Sequence, residues 1–543
     1  MRSDLQVECN PVLLCLDSVR FKHQTKLAVI TILQLANRMP TMNQRLLAIG
    51  PDRLRAMRRG IEKESLRSLP NGHLALTPHP KGLGAALTHP LVTTDFSESQ
   101  IEIITGAHAS VEACLAELTK VHQAVYRAMG DEMLWVSSMP CGLPGDESIP
   151  LARYGLSNVG RAKSIYRMGL GHRYGRRMQT ICGIHYNWSL PDVSSDEYFA
   201  LIRNFRRHSF LLLILFGAAP AVCQSFVAGR DHGLEPMRGG TLYRPYATSL
   251  RMGKLGYQSD AQSNLSVSYN NLSDYAAELT RAMTTPYPPY VKVGVKNLGG
   301  EYNQLSTSLL QLENEFYGLI RPKRTTRPGE RPIPAILERG VEYVEVRCLD
   351  LNPFETVGVN ANTMRFIDIF LMHCLTSDCP LDSPDEIQAL GRNLDKVTSR
   401  GRQVGLTLER PVDGQLKEVS LLEWAQELMH SMAEIAPILD QANGDTSYQR
   451  SFDYATKALQ NFDQLPSAQV LEALKVSETG SYLGFIQERS MLASKTLADL
   501  PWSEQEETLF ARLAEESIQT QCTIEKTDTI SFDDYLARML AVV

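Results

Sequence analysis

Carboxylates recur at every second position in several strand-like segments, and few folds tolerate that pattern. In Gly60-Ile61-Glu62-Lys63-Glu64-Ser65-Leu66 an extended backbone turns Glu62 and Glu64 to the same side, because successive strand side chains point to opposite faces. Two carboxylates held side by side repel unless a cation sits between them. A second cluster follows Thr93-Thr94-Asp95-Phe96, where Glu98, Gln100 and Glu102 alternate with Ser97, Ser99 and Ile101. This spacing predicts one strand face carrying the carboxylates. In Val341-Glu342-Tyr343-Val344-Glu345-Val346-Arg347, Tyr343, Glu345 and Arg347 share a face while Val344 and Val346 turn toward an apolar layer. Gly183-Ile184-His185-Tyr186-Asn187-Trp188-Ser189 likewise places His185 and Asn187 together and the large apolar groups opposite. Any one of these segments alone reads as a solvated strand face or a local ion pair. Together they point to carboxylates converging on one concavity, a hard oxygen site suited to Mg²⁺ or Mn²⁺ carrying a nucleotide. A zinc site would want His and Cys instead.

The rest of the chain can bury such a sheet. Its 543 residues are 43% hydrophobic and 21% charged, which excludes a disordered, collagenous or disulfide-stapled miniprotein class and fits a globular enzyme of two to four structural units. A net charge of −6 supplies no global basic field for nucleic acid. The ten cysteines are scattered without a CxxC pair, and free thiols in a reducing cytoplasm are expected. His373, Cys374 and Cys379 form a corner that could hold a metal, but it lacks a second ligand pair and reads as buried helix packing. The apolar runs 27–36 and 210–223 fall short of the roughly 18 residues a membrane span needs. With no signal-peptide pattern, a soluble cytoplasmic protein is expected.

Residues 1–41 form an N-terminal extension of no assigned role, and a chain opening at Met42 is expected to carry the whole unit. Residues 43–59 suit one or two short amphipathic helices. From 42 to 355 the pattern is that of an α+β core, expected to be the catalytic part if the chain is an enzyme, with Pro-rich loops at 284–289 and 327–334. From 356 to 543 it is mainly helical and is expected to pack on that core. Ser420-x-x-Glu423 and Ser503-x-x-Glu506 read as capping boxes, and 532–539 is amphipathic.

Arg251, Arg347 and the Arg321-Pro322-Lys323-Arg324 cluster could neutralise phosphate or carboxylate. There is no GxxxxGK[ST] loop, and Gly82-x-Gly84 and Gly169-x-Gly171 fail the dinucleotide spacing. Any ATP is therefore held by metals and arginines. With no GxSxG and no cysteine in a nucleophile setting, covalent acyl transfer lacks support.

A longer series of motifs stands in order along the chain. It runs through Gly60-Ile61-Glu62-Lys63-Glu64-Ser65-Leu66-Arg67, Thr93-Thr94-Asp95-Phe96, Met129-Gly130-Asp131-Glu132 and Gly155-x-Ser157-Asn158-x-Gly160-Arg161. Tyr166-Arg167, Gln179-Thr180-Ile181, Gly183-Ile184-His185-Tyr186-Asn187, Pro245-Tyr246-Ala247-Thr248-Ser249-Leu250-Arg251 and Gly256-Tyr257 follow. Leu312-Glu313-Asn314-Glu315-Phe316-Tyr317, Ile320-Arg321-Pro322-Lys323-Arg324 and Glu342-Tyr343-Val344-Glu345-Val346-Arg347 complete it. Over residues 42–540 this set resembles the glutamate–cysteine ligase family of gammaproteobacteria.

The resemblance implies an α+β fold, in which a glutamine-synthetase-like antiparallel sheet forms a funnel-shaped active site beside a helical C-terminal body. It implies ATP-dependent ligation of the L-glutamate γ-carboxylate to the L-cysteine amine through γ-glutamyl phosphate, the first step of glutathione biosynthesis. Mg²⁺, possible replacement by Mn²⁺, feedback inhibition by glutathione and a monomer come with it. On the same resemblance Glu62, Glu64, Asp95, Glu102 and Glu345 are metal ligands, joined by His185 and Asn187. Glu345 and Arg347 are catalytic, Arg347 facing the transferring phosphate, with Arg321, Lys323 and Arg324 as further phosphate contacts. Arg251 partners a substrate carboxylate and Ile181 makes backbone contacts near glutamate, while Tyr166, Leu170, Gln179, Tyr257 and Tyr317 form the cysteine pocket. The chain departs from the family in its 41 extra N-terminal residues and in a short 191–198 segment where some relatives carry an insertion. A related carboxylate–amine ligase with another acceptor, and an inactive scaffold relative, are the rival readings.

Overall fold

Isoleucine, valine and aromatic residues alternating with polar ones set the strands of the main sheet. The structure, a computed structural model, describes residues 42–256, 260–263, 265–327, 329–478 and 480–541. The expectations for residues 1–41 and for Tyr257 lie outside these. In chain order the strands are β1 (Arg58–Ser68), β2 (Val92–Thr94), β3 (Gln100–Ile104), β4 (Met133–Leu134), β5 (Ile184–Ser189) and β6 (Ala221–Cys223). They continue with β7 (Glu235–Pro236), β8 (Thr241–Tyr243), β9 (Ile320–Lys323), β10 (Tyr343–Leu349), β11 (Thr407–Val412) and β12 (Gln415–Ser420). The principal sheet has seven strands in the order β2-β3-β1-β5-β10-β9, with β4 pairing β1. Every pairing in it is antiparallel. With the helices that follow, this is the expected α+β architecture.

One face of the sheet is apolar. Ile61, Ile101, Ile103, Ile184, Tyr186, Trp188, Val344, Val346 and Ile320 are all buried, and they belong to one apolar cluster that runs from Leu46 to Leu497. This face of β1 also carries the buried polar side chains Arg59 and Ser65, and between them stands Lys63. Its Nζ donates to Ser65 Oγ at 2.7 Å and lies 2.9 Å from His122 Nε2. His122 Nδ1 is 2.7 Å from the Leu118 carbonyl, which can only accept, so Nδ1 carries the ring proton and Nε2 receives the lysine. Gly358 closes over this lysine at φ +81, where a Cβ would stand 3.0 Å from Lys63 Cε; glycine meets both demands at once.

Behind the apolar face runs the helix Ala361–Thr376. Its Asp368 is fully buried and accepts from Tyr186 Oη at 2.8 Å, Tyr448 Oη at 3.0 Å and Arg59 Nη2 at 3.1 Å. This single carboxylate ties β1 and β5 to the helix Ser447–Gln460.

Residues 43–59 form two short helices, Met42–Ile49 and Pro51–Arg55, before β1 begins at Arg58. The run 210–223 is the fully buried helix Phe210–Phe216 followed by β6. No described helix is long and apolar enough to cross a membrane. The Ser503 box closes reciprocally with Glu506, and residues 532–539 lie in the helix Phe532–Leu540.

Four expectations are corrected. Residues 95–99 turn between β2 and β3 instead of extending, and Glu98 accepts from the backbone of His79 and Arg153 rather than joining the acidic face. The helical last third contains the hairpin β11–β12, whose Ser420 caps Glu423 N without a recorded reciprocal bond. The loop expected at 327–334 gives way at Pro332 to the helix Pro332–Arg339, because proline suits the first helical turn. Cys141 and Cys223, expected as free thiols, are joined in a disulfide across 82 residues, with Cα atoms 5.3 Å apart. Sequence spacing carries no information about such a pairing.

Candidate active site

Antiparallel register assembles the polar face. Glu64 pairs with Glu102, Glu62 with His185, Asn187 with Glu345, and Glu345 with Arg321, while Lys323 pairs with Tyr343. Five neighbouring strands therefore bring carboxylates, an imidazole, an amide and cations to one surface.

The charges are unevenly compensated. Glu345 is 1% exposed and lies 3.3 Å from Lys323 Nζ, 3.1 Å from Arg347 Nη1, 3.9 Å from Arg321 Nη1 and 3.7 Å from His185 Nδ1. Burial would raise its pKa, but Lys323, Arg347, His185 and Arg321 outweigh burial and hold the carboxyl well below its usual range. Glu62 accepts from Asn187 Nδ2 at 2.9 Å and lies 3.2 Å from His185 Nδ1. Burial pushes it up, yet the His185 contact and the Lys323 charge leave it lowered. At the opposite end the anions dominate. Burial and the charge of Asp95 push Glu64 up to about 8, against Arg251, Arg347 and a 2.7 Å hydrogen bond from Gly183 N. Burial, then Asp95, Glu62 and Glu64, raise Glu102 further.

Acids crowded in this way either take up protons or share a cation. Ligand atoms of Glu62, Glu102 and His185 lie within 4.8 Å of one another. Asn187 Oδ1 is buried with no hydrogen-bond partner among the described residues, so a further oxygen donor stands ready. The donor set is mostly hard oxygen and fits Mg²⁺ or Mn²⁺.

The remaining expected residues divide into groups. Arg321 and Lys323 face Glu345, but Arg321 also donates through Nη2 to the carbonyls of Asn314, at 2.7 Å, and Phe316. It thereby holds the loop leading to Tyr317. Arg324 is turned away, with Nε 2.6 Å from the Gly340 carbonyl. Tyr166 and Leu170 lie one turn apart on the helix Asn158–Tyr174. Gln179 Nε2 donates to Tyr317 Oη at 2.7 Å, and Tyr317 meets Tyr174 edge-on with ring centroids 5.5 Å apart. Ile181 is buried, and its carbonyl accepts from Gln100 Nε2 at 3.0 Å.

Arg251 is 1% exposed; its Nε is 2.8 Å from Asp350 Oδ1, and its Nη2 is 3.0 and 2.6 Å from the carbonyls of Arg347 and Leu349. A Cβ on Gly183 would come within 2.7 Å of its Nη1, so the guanidinium lies flat against this glycine. Its charge reaches Glu64.

Asp350 was not among the sequence candidates, although it holds Arg251, Ser249 Oγ at 2.9 Å and Ala218 N at 2.8 Å. Lys163 and Arg167 were also missed. Arg167 Nε donates to the Asp95 carbonyl and its charge lowers Glu102, while Lys163 is depressed to about 8 by burial and by Arg167. Their spacing, with Tyr166 and Leu170 on the same helical face, was the available signal.

The chain matches the glutamate–cysteine ligase family model over residues 48–397. It is 46% identical over 506 residues to a glutamate–cysteine ligase of Alcanivorax borkumensis, covering 89% of this chain and 95% of that one. It is 45% identical over 525 residues to one of Pseudomonas putida, covering 92% and 99%. The crystal structure of glutamate–cysteine ligase from Francisella tularensis in complex with AMP superposes with a TM-score of 0.84 at 35% identity, over 89% of this chain and 97% of that one. A bifunctional glutathione synthetase from Pasteurella multocida shares the fold at 23% identity and a TM-score of 0.66, over 87% of this chain and 58% of that one. The strand-borne acids, the cations of β9 and β10 and these likenesses together place the chain in the glutamate–cysteine ligase family.

Proposed function

We propose that this enzyme joins the γ-carboxylate of L-glutamate to the amine of L-cysteine, driven by ATP. The observation that carries the reading is the gradient on one sheet face, from crowded acids at Glu64 and Glu102 to the cations Arg321, Lys323 and Arg347 around Glu345. A carboxylate does not acylate an amine at neutral pH. Its oxygen first attacks the γ-phosphorus of ATP and releases ADP, giving γ-glutamyl phosphate. The cysteine amine, having lost its proton, then attacks the acyl carbon and expels phosphate. No protein nucleophile is needed, so the residues position the reactants and balance developing charge.

In this reading Glu62, Glu64, Asp95, Glu102 and Glu345, with His185 and Asn187, would hold Mg²⁺. When bound there, it would supply positive charge to offset the phosphates of ATP. Arg347 faces the transferring phosphoryl group, with Lys323 and Arg321 beside it, and Arg324 serves the loop after β9. Arg251, pressed against Gly183, adds positive potential for a glutamate carboxylate near Ile181. Tyr166, Leu170, Gln179 and Tyr317 would line the cysteine pocket, to which the family resemblance also assigns Tyr257. Glutathione carries both the γ-glutamyl and the cysteinyl groups and would compete for these two pockets. The chain would act as a cytoplasmic monomer.

The test is phosphate release by purified protein with ATP, Mg²⁺ and glutamate, with and without cysteine, alongside mass detection of the dipeptide. Cysteine-dependent γ-glutamylcysteine is expected. Turnover with a different amine alone would overturn the acceptor pocket, and no turnover under any condition would overturn the whole reading.

A further inference from the structure

Behind the sheet, in the helical layer, a second cluster of donors stands apart from the acidic face. His208 ends the helix Ser195–His208, and His373 and Cys374 lie near the end of Ala361–Thr376. A ring nitrogen of each histidine and the Cys374 sulfur fall within 4.8 Å of one another. Cys374 is 0% and His373 4% exposed. The sequence corner of His373, Cys374 and Cys379 lacked a partner, and the fold supplies His208 from a helix more than 160 residues earlier. Cys379 turns elsewhere and donates to the Ala200 carbonyl at 3.1 Å.

The hydrogen bonding singles out one ring nitrogen of His373. Ser431 Oγ donates to the Leu428 carbonyl at 2.9 Å and lies 2.8 Å from His373 Nε2. Ser431 Oγ thus engages Nε2 of His373 and leaves Nδ1 as the ring nitrogen without a hydrogen-bond partner among the described residues. A metal-binding histidine is oriented by such a second hydrogen bond. His373 Nδ1 and His208 Nδ1 are both buried with no hydrogen-bond partner among the described residues. An orphaned buried polar atom is costly and calls for a water or an ion. Two cations whose charges reach His208, Arg207 and Arg410, are each paired with a carboxylate. Arg207 is bound to Glu386 and Arg410 to Glu427.

We infer that His208, His373 and Cys374 form a binding site for a borderline-soft divalent cation, Zn²⁺, separate from the magnesium-type site on the sheet. Imidazole nitrogen and thiolate are zinc donors, and three protein ligands leave a fourth position for water. The ion would clamp the ends of two helices that cover the apolar side of the sheet. This inference is independent of the proposed reaction.

The full-length protein, stripped with chelator and kept in excess Mg²⁺ to occupy the carboxylate site, is titrated with Zn²⁺ against a chromophoric chelator and separately with Co²⁺. One Zn²⁺ per chain is expected, together with a thiolate-to-cobalt charge-transfer band and a rise in Tm on adding Zn²⁺. His208→Gln, at a half-buried position, should weaken zinc at least tenfold. Cys374→Ser should abolish the charge-transfer band. Zinc affinity unchanged in His208→Gln overturns the assignment. If Cys374→Ser fails to fold, the wild-type cobalt spectrum decides alone, and a spectrum without thiolate character overturns the site.

Discussion

Glu345 is the residue at which the charge of the site is balanced. It is the acid against which Lys323, Arg347, Arg321 and His185 are all arrayed. Removing its charge leaves those cations without their common anion while keeping the side-chain shape. Glu345→Gln is therefore expected to lower kcat by about 100-fold or more with near-UV circular dichroism unchanged; a wild-type rate would refute the role. Gly183 matters for what it lacks. Its missing side chain lets the Arg251 guanidinium approach, and that guanidinium cannot retreat because Asp350 and two backbone carbonyls hold it. In Gly183→Ala the new methyl must displace one of these partners, which is expected to destabilise the fold by about 1–3 kcal/mol, read as a lower urea midpoint with unchanged slope.

At the scale of the element, the β2–β3 hairpin carries Asp95 and Glu102, and its entry depends on one histidine. His89 Nδ1 accepts from Leu91 N at 3.2 Å and from Val92 N at 3.0 Å. Burial depresses this imidazole to about 4, and protonating Nδ1 would break both bonds. Because the folded pKa lies below the unfolded value of about 6.5, the unfolded chain binds the extra proton. The stability that His89 contributes is then full above about pH 6.5 and is lost as pH falls from there toward 4. Tm should drop over that window, at roughly 1 °C for each kcal/mol lost in a chain of this size. His89→Asn, which offers an oxygen acceptor at a similar place and does not titrate, should make the profile shallower, leaving the share of His79 and His373, which burial also depresses to about 4. An equally steep profile in this variant would remove His89 from the account.

For the whole molecule, Asp368 joins the sheet to the helical layer. It is buried with Arg59, Tyr186 and Tyr448, and Tyr186 sits on β5 between His185 and Asn187. Removing one partner from such a pair leaves an uncompensated buried charge. Asp368→Ala is expected to cost about 3–5 kcal/mol in urea denaturation. Its His185 and Asn187 neighbours should lose their fixed positions, so activity should fall before global unfolding does.

The local pattern determined a good deal. Period two put Glu62 with Glu64, His185 with Asn187 and Glu345 with Arg347, because a strand's alternation needs no knowledge of its neighbours. The same locality fails where the backbone turns, as it does at Glu98, whose carboxylate serves the chain at His79 and Arg153. Which strands stand side by side was decided only by the tertiary fold, since the register of Glu64 with Glu102 and of Asn187 with Glu345 joins segments distant in sequence. So were the Arg251–Asp350 pair, the Cys141–Cys223 bond and the meeting of His208 with His373 and Cys374. Each of these depends on a distance across the folded core, and side-chain chemistry along the chain does not encode that distance until the apolar face of the sheet has been buried.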